Sequence, residues 1–73
     1  MDRQIVRDVV ASIAVNHPRP VVDDDRLVED LALDSMAKLE LAAALEVRLD
    51  RPVTDAIVMK ARTVADLADA LAA

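Results

Sequence analysis

EDLALDSMAKLEL, residues 29–41, contains a helix start in the middle of a 73-residue chain. The short carboxylate of Asp34 suits the position just before a helix, where it can accept from an unpaired first-turn amide. After it the apolar residues recur at helical spacing through Leu49, and Pro52 closes the segment. A helix capped by Asp34 and running to about Leu49 is therefore predicted, with Ser35 in its first turn. On its own that serine is an ordinary first helical residue. The rest of the chain decides whether it is more.

This central helix carries two apolar rows. Leu41, Leu45 and Leu49, with Ala42 beside them, have the spacing of a core-facing stripe. At about 100° per residue, Met36, Leu39, Ala43 and Val47 form a second row turned toward the other side, flanked by Glu40 and Glu46. A small protein gains little by exposing such a row, so the row is expected to be a partner site.

Working outward, Ile5, Val6, Val9, Val10 and Ile13 share one face of a helix predicted over residues 2–16, with Arg3, Gln4, Arg7, Asp8 and Ala11 opposite. Pro18 and Pro20 stop it. The long connection that follows has Leu27, Val28, Leu31 and Leu33 scattered through it, and the leucines are expected to anchor it. Asp23, Asp24 and Asp25 read as a solvated stretch, and His17 as a surface residue at a helix end. A short third helix, capped by Thr54 or Asp55, holds Ile57, Val58 and Met59 in succession, and these cannot all face inward. Thr63 caps a last helix whose Val64, Leu67, Ala68 and Leu71 share a stripe. The fold class is all-α: a four-helix bundle with three principal helices, a short third helix and a long first loop, in one domain over residues 1–73.

Composition removes several chemistries. A chain with Gly 0 has no phosphate-cradling glycine loop, and Cys 0 with a single His builds no zinc site. The acidic triplet lacks the spaced ligands and turn glycine of a calcium loop. A hydrolase using Ser35 and His17 would have no oxyanion scaffold. The net charge of −5 argues against nucleic acid as a partner. With no signal peptide, spanning segment or basic membrane helix in the sequence, no membrane association and a cytoplasmic location are expected. Stability must come from aliphatic packing, which 55% hydrophobic residues make feasible.

Residues 30–36, Asp-Leu-Ala-Leu-Asp-Ser-Met, resemble the attachment motif of acyl carrier proteins, Asp-x-Gly-x-Asp-Ser-Leu, with Ala32 replacing the glycine and Met36 the leucine. The resemblance covers nearly the whole chain, including the first helix, the long loop, LELAAALEVRL at residues 39–49 and TVADLADAL at residues 63–71. It implies an acyl-carrier-type bundle in which a phosphopantetheinyl transferase attaches the 4′-phosphopantetheine arm of coenzyme A to Ser35, with Asp34 both capping the helix and being read by the transferase. It also implies that the carrier is no enzyme, since the transferase supplies base and metal.

On the same resemblance, Met36, Leu39, Glu40, Ala43, Glu46 and Val47, with Ile57 and Met59 of the short helix, would meet an acyltransferase, ligase or ketosynthase. Ala37 and Val47 stand where fatty-acid-synthesis carriers often have acidic residues. That pattern points to dedicated partners in polyketide or hybrid polyketide/nonribosomal peptide biosynthesis. Peptidyl carriers tend to have Gly-Gly-His or Gly-Gly-Asp before the serine, unlike this chain. An aminoacyl or peptidyl carrier, a fatty-acid-synthesis carrier and an unmodified helical interaction module are the alternatives. Met1 and the short termini favour a freestanding protein, although a domain cut from a synthase would look similar, and a monomer is expected.

Overall fold

The computed structural model describes residues 3–14, 17 and 19–72. Four helices follow in order: α1 (Arg3–Ile13), α2 (Ser35–Leu49), α3 (Asp55–Lys60) and α4 (Val64–Ala72). α1 packs on α2 and α4, and α3 packs on the same two. The fold is thus a small all-α bundle. Among the described residues the only strand-like pairing is an isolated antiparallel bridge between Arg26 and Thr63.

The helical stripes meet in one core. Val6, Val9 and Val10 of α1 face Leu41, Ala42 and Leu45 of α2, with Val58 of α3 and Val64, Leu67, Ala68 and Leu71 of α4. Each buried Val or Leu contributes about 1.5–3 kcal/mol, so many moderate contributions replace the aromatic residues the chain lacks. Ile5, Ile13, Leu49 and Ile57 are half-buried at the margin.

α1 is shorter than the predicted span. Its last helical residue is Ile13; the Ala14 amide still bonds Val10 O, and the His17 amide turns back to Ala14 O. Residues 2, 15 and 16 of the predicted helix lie outside the described residues.

Helix ends are made without glycine. Asp50, with φ 52°, takes the left-handed position that closes α2. Thr54 Oγ1 accepts from the Ile57 amide at the start of α3. Before α4, Thr63 and Asp66 exchange bonds: the Asp66 amide donates to Thr63 Oγ1 at 3.1 Å, and the Thr63 amide to Asp66 Oδ2 at 3.2 Å. This reciprocal pair satisfies two donors at once. At the other end of α4, Arg51 donates to Leu71 O, a cation placed where the helix dipole is negative.

The long first loop is sewn to α4. The Leu27 amide bonds Arg62 O, while Asp25 O and Asp23 O accept from the amides of Val64 and Ala65 in the first turn of α4. Leu27, Leu31 and Leu33 are buried as anchors, together with Val21. Val28 is exposed instead, because it occupies the outward side of the turn that buries Leu27 and Leu31.

Two sequence expectations fail in this loop. Asp25 is not solvated; it is 2% exposed and accepts from both Nη atoms of Arg19 and from the Val22 amide at 2.9 Å. Burial pushes its carboxyl up, but the bonds from Arg19 and Val22 and the charges of Arg19 and His17 outweigh that and hold it below the usual carboxylate range. The His17 side chain is not on the surface either. It is 8% exposed, with Nε2 3.6 Å from Asp25 Oδ2. The burial of both groups is a tertiary effect that local polarity does not reveal.

Candidate functional site

The approach to Ser35 is a short helical turn closed by a defined end. The Ala32 amide bonds Val28 O at 3.0 Å and the Leu33 amide bonds Leu27 O at 2.9 Å. This nested pair requires a left-handed residue between its arms. Ala32 supplies it with φ 56°, at a conformational cost a glycine would avoid. Leu27 and Leu33, both buried, close the turn on its apolar side.

Asp30 holds the same turn from its polar side. Its Oδ2 accepts from the Arg26 amide at 2.8 Å and from Arg26 Nε at 3.1 Å, and its Oδ1 from Arg26 Nη2 at 3.1 Å. The guanidinium bond, then the amide bond, push the Asp30 carboxyl down to about 2. The Arg26–Asp30 clamp was missed from sequence, although the four-residue spacing of the two charges was visible there.

One residue past Leu33, Asp34 is extended, and its Oδ1 accepts from the Ala37 amide at 2.8 Å. Its carbonyl takes the Lys38 amide at 3.0 Å. α2 begins at Ser35, whose side chain is exposed. The chain has four hydroxyl side chains: Ser12, Ser35, Thr54 and Thr63. Ser12 donates to Val9 O at 2.6 Å, and the two threonines cap helices. Ser35 is the hydroxyl standing exposed in the first turn of a long helix.

The row on the outer side of α2 is exposed. Met36 is 70% and Val47 80% exposed, and Leu39, Glu40 and Ala43 also face solvent. Two expected members differ. Glu46 is exposed, but its carboxylate accepts from the Val53 amide at 2.9 Å, so it braces the α2–α3 connection. Ile57 packs against the core because the first turn of α3 leans on it, while Val58 is fully buried and Met59 is 38% exposed. Val28, exposed on the turn before the site, is an addition to this apolar surface. Among the described residues, no group of three or more acidic or histidine side chains could hold a metal, and no helix is long and apolar enough to cross a membrane.

A family model described as the phosphopantetheine attachment site matches residues 4–71. The chain belongs to that family. No curated protein matches the chain. As a phosphopantetheine carrier domain it takes 4′-phosphopantetheine, and domains of this kind are carriers served by a phosphopantetheinyl transferase and partner enzymes. The start of α2 fits such a group. The first-turn amides of Ser35 and Met36 have no partner within the helix ladder, and the positive end of the helix dipole favours a phosphate ester there.

Proposed function

We propose that Ser35 is the attachment residue of an acyl carrier, which presents acyl thioesters to partner enzymes of polyketide or hybrid polyketide/nonribosomal peptide biosynthesis in the cytoplasm. The observation that carries this reading is the exposed Ser35 hydroxyl in the first turn of α2, set there by the Asp34 cap, while the other three hydroxyls have local structural roles. When bound, 4′-phosphopantetheine supplies the thiol for the thioester, which a chain with no cysteine cannot offer itself.

The protein's own residues position and present. Asp34 holds the first turn, and the Arg26–Asp30 clamp holds the turn before it. Met36, Leu39, Ala43 and Val47 give partners an apolar strip beside the serine, with Met59 on α3. Glu40 contributes charge that steers a basic partner surface, and because Glu46 is committed to Val53 the strip is read more by shape and apolar contact than by charge. That balance supports dedicated partners.

The test is intact mass after incubation with coenzyme A, magnesium and a broad-specificity transferase, beside Ser35→Ala. The wild type gains one phosphopantetheine and Ser35→Ala none; an acyltransferase for a short extender acid then adds its acyl group to the loaded protein. Loading of Ser35→Ala contradicts the site assignment, and a folded wild type that stays unmodified contradicts the carrier reading.

A further inference from the structure

The residue directly after Ser35 carries a thioether, and it is 70% exposed at the head of the apolar strip. We propose that Met36 is a reversible oxidation site at which a peroxide-class oxidant lowers the access of enzymes to Ser35; the proposal rests on the carrier reading above. A methionine in the core would break packing on oxidation. Met36 belongs to no part of the buried cluster, so its oxidation changes the docking face and spares the bundle.

The step is balanced with hydrogen peroxide alone. A sulfur lone pair attacks one peroxide oxygen, the O–O bond breaks, and an S–O bond forms. The departing hydroxide takes up the proton left on the transferred oxygen and leaves as water. Sulfur loses two electrons and the peroxide gains them.

The sulfoxide oxygen is a strong acceptor with no proton of its own. A partner that docks on the strip shuts water out of it, and the new acceptor is then left unpaired at a cost. Glu40, one helical turn further on, is an acceptor as well and offers it no proton. Met59, on α3 and 38% exposed, provides an internal comparison.

The test uses apo wild type, Met36→Leu and Met59→Leu. Each is treated with hydrogen peroxide, cleared with catalase and mapped by peptide mass. Each then receives coenzyme A and magnesium-dependent transferase, at carrier concentrations below KM. Met36 is expected to gain oxygen before Met59, with the circular dichroism unchanged. Treated wild type and Met59→Leu lose about tenfold or more in initial rate, the size of effect an unpaired buried acceptor produces. The rate of Met36→Leu is the same before and after treatment, and methionine sulfoxide reductase with a thiol reductant restores the wild type.

An unchanged rate in wild type oxidised at Met36, an equal loss in Met36→Leu, or lost helicity overturns the proposal and leaves the carrier reading standing. Untreated wild type that accepts no phosphopantetheine overturns the carrier reading and this proposal together.

Discussion

The carboxylate of Asp30 reaches back one turn to Arg26, taking its amide at 2.8 Å and its guanidinium at 3.1 Å. The turn so clamped delivers the chain to Asp34 and Ser35. The Asp30 carboxyl lies at about 2 in the folded protein against an ordinary 3.8. A value depressed by folding means a contribution present above pH about 4 and lost as pH falls toward 2. The urea midpoint of wild type is therefore expected to drop over that window, and Asp30→Asn to show a shallower drop. An identical slope in the variant rules out the clamp as its source.

Ala32 occupies a left-handed conformation, φ 56°, that the nested bonds of the turn impose. Ala32→Gly removes that strain, partly offset by the greater freedom of glycine in the unfolded chain, and is expected to stabilise by about 0.5–1 kcal/mol. Ala32→Val is expected to destabilise. Chemical denaturation reads both.

Leu39 and Leu41 stand two residues apart on α2, one exposed and the other fully buried. Leu41→Ala leaves a cavity and is expected to cost about 2–5 kcal/mol. Leu39→Ala shifts stability by no more than about 0.5 kcal/mol, yet slows phosphopantetheine transfer. A Leu39→Ala protein loaded at the wild-type rate would remove that residue from the docking strip.

Asp34 pairs with the Ala37 amide, so Asp34→Ala is expected to cost about 1 kcal/mol of stability, and Asp34→Asn, which can still cap, distinctly less. Thermal unfolding of the two variants in parallel gives the comparison.

The parts legible in the sequence are those governed by local rules. The α2 cap at Asp34, the Leu41 and Leu45 stripe, the outward Met36 and Val47 and the Thr63 cap all follow from spacing and capping chemistry. What failed depended on the chain meeting itself. Asp25 and His17 are polar residues in a proline-rich loop, and they are buried next to each other where Asp25 O also takes the Val64 amide of α4, a tertiary arrangement that local sequence does not show. Glu46 has the look of a surface charge until the bend after α2 brings the Val53 amide to it. Ile57 could not be separated from Val58 and Met59 by pattern in so short a helix.

Attachment of phosphopantetheine to Ser35 can be read directly, because trypsin isolates that residue conveniently. Cleavage after Arg26 and Lys38 yields residues 27–38, in which Ser35 is the sole hydroxyl side chain. After reaction with coenzyme A and a transferase, this peptide is predicted to gain the full phosphopantetheine mass. The same gain on a peptide carrying Ser12, Thr54 or Thr63, with residues 27–38 unmodified, would rule out Ser35 as the attachment residue.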